Sequence, residues 1–144
     1  MIVLAIAAIV QSTAVDDRPL TQLPYLAWGA WECATALEYT DNVEADRSRY
    51  VELGINAARR FLEAEVAGEV SPEVWGEEVP VAFGLRIGGP SIDFIVGRWF
   101  EAAISTTFDD IHNAIPTELT YAQREEIRSL NAERLYRDRN CQLL

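Results

Sequence analysis

The stretch Gly88–Ile111, GGPSIDFIVGRWFEAAISTTFDDI, decides how the rest of this chain is read. Gly88-Gly89-Pro90 interrupts whatever regular element precedes it. Ser91 then stands where an N-cap is needed, because its hydroxyl can accept a backbone N–H one turn on, and Asp93 complements the positive end of the helix dipole. Beyond that start, Ile92, Ile95, Val96, Trp99, Phe100, Ala103, Ile104, Phe108 and Ile111 recur at helical spacing. Polar residues keep to a narrow strip of Arg98, Glu101, Ser105 and Asp109. An apolar face this wide predicts a central helix over 91–111, enclosed by others. Gly97 falls in its middle, where glycine costs about 1 kcal/mol relative to alanine. The expected reason is a close helix–helix contact, with Gly54 as the facing residue.

Working outward, helical periodicity recurs three times. A first helix is expected from Tyr25 to Tyr39, with Leu26, Ala30, Cys33 and Leu37 inside and Trp28 and Trp31 flanking. A second runs from Val43 to Ala67 along Tyr50, Leu53, Gly54, Ala57, Phe61 and Ala64, and Gly68 supplies its C′ position. A last one opens at Thr120, which forms a capping-box pattern with Gln123, and continues to Arg139 with a narrow apolar face. Ser71-Pro72-Glu73 starts another helix that Gly76 and Pro80 hold to a turn or so. Val81, Phe83, Leu85 and Ile87 alternate with Ala82, Gly84 and Arg86, so this segment is expected to be extended or irregular, packed on the helices. The fold class is all-α: one bundle of about four helices around a central apolar helix.

The amino terminus reads differently. Residues 2–10, IVLAIAAIV, are continuously apolar but far short of the ~20 residues a membrane helix needs. With Ser12 and Ala14 as small residues before a cleavage point, 1–14 reads as a signal peptide, although no Lys or Arg precedes the run. Residues 15–24 then form a leader, and 25–144 a single helical domain. A chain of 144 residues that is 49% hydrophobic has material for one real core.

Charge narrows the function classes. The net charge is −11, with 23 acidic residues against twelve basic ones. That balance excludes nucleic-acid backbones as partners and leaves either a solvated surface or a basic protein partner. Export would carry the two cysteines, Cys33 and Cys141, into an oxidising compartment, where an even count of two predicts one disulfide.

No residue pattern specifies catalysis or a cofactor. Asp109, Asp110 and His112 could offer metal ligands, but only Asp109 and His112 share a helix face well and no second histidine exists, so no metal is expected. The Gly88–Ser91 turn lacks a phosphate-loop pattern and reads as a capped turn. Arg98 and Glu101 are expected to form a structural i, i+3 ion pair. Glu101 with Glu63 or Glu65 is the least poor carboxylate pair for a hydrolase, and Trp28 and Trp31 read as core. The resulting expectation is an exported, non-enzymatic interaction module of the inhibitor, immunity or chaperone-like kind, with a small carboxylate hydrolase as the alternative.

Overall fold

A computed structural model describes residues 17–41, 45–113 and 115–144. It is an all-α single domain, with no strand among the described residues. A 3-10 turn at Leu20–Gln22 leads into α1 (Leu23–Leu37), followed by α2 (Arg47–Val66), α3 (Pro72–Glu77), α4 (Val81–Gly84), α5 (Ile92–His112) and α6 (Tyr121–Asp138). A second 3-10 turn, Cys141–Leu143, closes the chain. The expected signal peptide at 1–14 and the expected start of the second helix at Val43 lie outside the described residues.

Helix ends follow local chemistry. Ser91 Oγ accepts from the Phe94 N–H at 3.2 Å and so caps α5. Thr120 and Gln123 form a reciprocal capping box at the start of α6. Asp46 caps α2 by accepting from Ser48 N–H. At the other end of α2, Gly68 adopts φ 75°. There the Glu69 N–H reaches the Ala64 carbonyl and the Gly68 N–H the Glu65 carbonyl, a pattern that takes up two orphan acceptors.

The helix most enclosed by others is α1, which packs on α2, α5 and α6. It buries Leu23, Leu26, Ala27, Ala30, Trp31, Cys33, Ala34 and Ala36, residues spread around its circumference. Helix formation begins at Leu23, inside the expected leader, because Pro24 suits the first turn and both side chains are buried. Helix α5 buries Val96, Trp99, Ala102, Ala103, Thr107 and Ile111, and its other side is solvated.

Three local expectations need correction. Gly97 makes no close helix contact: it is exposed, and a Cβ built there meets nothing within 4 Å. The close approach belongs to Gly54 alone, where a Cβ would stand 2.2 Å from Trp31 Nε1. The facing group is thus an indole on α1, which donates to the Val51 carbonyl at 3.3 Å. Arg98 and Glu101 form no ion pair among the described residues. Arg98 donates to the Gly88 carbonyl at 2.6 Å instead and tightens the turn before α5. Finally, the alternating run 81–87 begins as a helical turn, α4, before becoming irregular. Only Phe83 of its large residues is fully buried, whereas Val81 and Leu85 are exposed. One anchoring ring, not a strand face, fixes the segment.

Two apolar clusters result. One gathers Trp31, Phe61, Phe83, Val96 and Trp99 with Leu23, Leu26 and Leu62. Phe83 stacks on Trp99 with centroids 4.1 Å apart, and Trp99 Nε1 donates to the Phe83 carbonyl at 3.0 Å. The other gathers small residues, Cys33, Ala34, Ala36 and Ala132, with Tyr50, Ile111, Tyr136 and Cys141. Here the Cys33 and Cys141 sulfurs stand at disulfide distance, with Cα atoms 5.7 Å apart. Asn140 takes the left-handed conformation at φ 52° and thereby turns Cys141 back onto α1.

Candidate functional site

Two surface grooves flank α1. The first lies between the C-terminal end of α1 and one face of α6, has a volume of about 480 Å³, and is lined by Glu38, Tyr39, Asp41, Glu125, Glu126, Arg128, Ser129, Leu130 and Glu133. Five of these residues are carboxylates and one is a guanidinium. Arg128 pairs with Glu125 one turn earlier, and Glu38 pairs with Arg47 from the start of α2. Tyr39 gives the groove an aromatic wall, held edge-on against Phe108 and His112. Its phenol is pushed above the ordinary tyrosine range by burial and by the Glu38 carboxylate beside it.

The second groove, about 430 Å³, opens over the middle of α1 and is lined by Tyr25, Trp28, Gly29, Glu32, Pro80, Arg139 and Leu144. Glu32 is only 3% exposed. It accepts from Arg139 Nη2 at 2.8 Å, and the guanidinium is itself about half exposed. Burial pushes the Glu32 carboxyl above its usual range, and Arg139 and the Trp28 indole oppose that shift only in part. Asp110 adds to the rise. Arg139 also borders a smaller hollow with Asp110, Asn131, Arg134, Leu135 and Asp138.

The residues singled out in the sequence fall into separate places. Cys33 and Cys141 meet in the second cluster, one and two residues along the chain from the paired Glu32 and Arg139. Ser91, Arg98 and Gly88 build the turn before α5, and Gly89 belongs to it because a Cβ there would strike the Phe94 ring at 2.4 Å. The turn is therefore closed by its own side chains. Glu101 is exposed on α5 and lines none of these grooves. His112 Nδ1 lies 2.8 Å from the Phe108 carbonyl and its ring stacks on Phe108, so it serves the end of α5. Among the described residues, no three His, Cys, Asp or Glu side chains gather as a metal site.

Glu32 is the residue that sequence reasoning passed over. Its signal was visible: it is the one charged residue in LPYLAWGAWECATAL, the helix with the most continuous burial. A lone carboxylate in such a segment requires a cation from elsewhere, because an unpaired buried charge is costly. Which arginine answers it could not be read, since Arg139 lies 107 residues away.

No family model matches the chain, and no curated protein or solved structure is significantly similar to it.

Proposed function

We propose that this is an exported, non-enzymatic interaction module, of the inhibitor, immunity or chaperone-like kind, that receives a basic segment of a partner protein in its acidic groove. The observation that carries the reading is the lining of that groove, five carboxylates to one arginine already paired with one of them. A concave surface of this sign focuses the field of a chain with net charge −11 and steers a cationic partner toward it. Tyr39 and Leu130 add apolar surface on which the stems of lysine or arginine side chains can lie. Export rests on the apolar 2–10 run and on a cysteine pair at disulfide distance, and no helix among the described residues is long and apolar enough to cross a membrane.

The test compares two charge reversals that change the net charge equally. Glu126→Lys alters the groove, whereas Glu77→Lys alters the exposed end of α3. Binding of an arginine-rich peptide, followed by titration calorimetry at two salt concentrations, is expected to weaken about tenfold for Glu126→Lys and far less for Glu77→Lys. Equal losses would mean that only net charge attracts the peptide, and the groove would then not be the site.

A further inference from the structure

The groove over α1 presents chemistry that the acidic groove does not. Its floor is Gly29, a glycine in the middle of a helix, where alanine would be the better helix former. Packing does not require it, since a Cβ built there meets nothing within 4 Å. Gly97 has the same freedom on an open surface, so glycine alone decides nothing. At Gly29, however, the missing side chain leaves a slot bordered by the Tyr25 and Trp28 rings, Pro80 and Leu144. At its polar end stands Arg139. One of its guanidinium N–H groups is held by Glu32, and no other described residue takes a hydrogen bond from the guanidinium. A guanidinium carries five donors, so most remain available, on a side chain about half exposed. Glu32 itself, 3% exposed, has almost no surface to offer a ligand.

We infer that this groove binds a small organic carboxylate with an aromatic or apolar body, its acid group on Arg139 and its body over Gly29 between Tyr25, Trp28 and Pro80. The volume of about 430 Å³ suits a ligand of that size. Arginine is suited to the acid group because its planar fork meets a carboxylate with two parallel hydrogen bonds. Glu32 acts as a positioning residue: its buried carboxylate holds the guanidinium through Nη2, and the half-exposed remainder borders this groove as well as the hollow beside Asp110. The net charge of −11 opposes any anion at long range, but salt confines that effect to about 8 Å at physiological ionic strength. Of the nearest competing carboxylates, Asp138 lies toward Arg137 at 3.7 Å, and neither it nor Asp110 reaches ion-pair distance of Arg139. This inference is independent of the basic-partner reading, which concerns the other groove.

Phenylacetate is the probe, with 2-phenylethanol and 2-phenylethylamine as matched controls, each titrated into the folded protein and followed by amide and arginine Nε chemical shifts. Saturable shifts at Tyr25–Glu32 and Arg139 are expected with phenylacetate, at least about tenfold weaker binding of the alcohol, and none of the amine. Gly29→Leu fills the slot and should weaken phenylacetate about tenfold or more. Should that variant not fold, Gly29→Ala makes the same test with a loss of a few-fold. The double variant Glu32→Gln/Arg139→Gln removes both charges together, so neither is left buried alone, and should abolish the preference for acid over alcohol. Glu32→Gln by itself should shrink that preference while alcohol binding stays as it was, which a purely structural role would not produce. The absence of saturable shifts with phenylacetate up to about 10 mM would overturn the inference. So would equal affinity for acid and alcohol, or full binding by a folded Gly29→Leu protein.

Discussion

The two ends of the bundle are held by different physics. Five aromatic rings from α1, α2, α3 and α4 interlock around Trp99 of α5: Phe61, Trp75 and Phe83 touch Trp99 directly, and Trp31 and Trp28 join through Phe83. Large rings bury area efficiently and add a geometric preference of about 0.5–1.5 kcal/mol per pair. Around Cys33 the residues are mostly small, and specific ties replace bulk. Tyr50 Oη lies 2.8 Å from Tyr136 Oη and donates to the Cys141 carbonyl at 2.9 Å, beside the sulfur pair and the Glu32–Arg139 contact. The contrast explains how α6 stays in place with so few buried side chains, Ala132 and Tyr136. A helix that contributes little apolar area is retained by links to its end, whereas the aromatic half needs none.

The largest expected effect tests the first half of that contrast. Trp99→Ala removes a fully buried ring, its stack on Phe83 and its hydrogen bond, and is expected to destabilise by about 3–5 kcal/mol in denaturant melts. A loss near 1 kcal/mol would mean that the ring cluster is not the main source of stability. Next comes the cysteine pair, which would close a loop with a sequence separation of 108. A bridge of that span contributes up to ~4–5 kcal/mol in the chain-entropy model, with about 2–4 typical of measured cases. Mass spectrometry of the unfolded, unreduced, alkylated protein should find no free thiol in material from an oxidising compartment. Reduction should speed amide exchange after Thr120 first and leave the Phe83–Trp99 region protected. Uniform acceleration would dissolve the distinction between the two ends.

Much of this arrangement is legible in the sequence, and the illegible part has a definite cause. Helix starts are written locally, as in Ser91, the Thr120–Gln123 box and Gly68, because capping needs only neighbours within one turn. The enclosed helix is harder to identify. Both α1 and α5 are apolar on wide faces, and periodicity reports the width of a face without saying what covers it. Phe83 illustrates a further limit: alternation over 81–87 gives an expectation of an extended or irregular segment, although one ring on one helical turn does the packing. For the sites, local pattern gives types of residue and not their partners. Glu32 is conspicuous within its helix, but the groove above it is made by Pro80 and Arg139 from distant parts of the chain.

Alkaline pH probes the tyrosine tie at smaller amplitude. Burial first, and then the neighbouring Tyr136, push the Tyr50 phenol up to about 12 from its ordinary 10. The unfolded chain releases this proton near pH 10, whereas the native protein holds it until about 12, so the native state binds more protons within that window. Stability contributed by the neutral phenol is therefore complete below about pH 10 and lost as pH rises through 12, by on the order of 2–3 kcal/mol in all. Melts taken from pH 8.5 upward should show the decline, and Tyr50→Phe, at a cost of about 1 kcal/mol at neutral pH, should flatten it. An unchanged slope in that variant would place the titrating group elsewhere.

The smallest effect, at Gly97, comes from comparing two glycines that are expected from the sequence to face each other. Gly54 and Gly97 both interrupt long helices, and both border the aromatic half, yet their surroundings are opposite. At Gly54 an added methyl would occupy the space of the Trp31 indole, which is fully buried and tied to Val51, so neither α2 nor the ring can move cheaply. Gly54→Ala should accordingly destabilise by about 1–3 kcal/mol through overpacking, in spite of its better helix propensity. At Gly97 the methyl meets only solvent. Gly97→Ala should then stabilise by about 0.4–1 kcal/mol, mostly by restricting the unfolded chain. Urea melts of the two variants with equal slopes would measure both signs directly. If Gly97→Ala destabilises, α5 must meet a surface on that side in solution, and the aromatic half would be less self-sufficient than its ring packing implies.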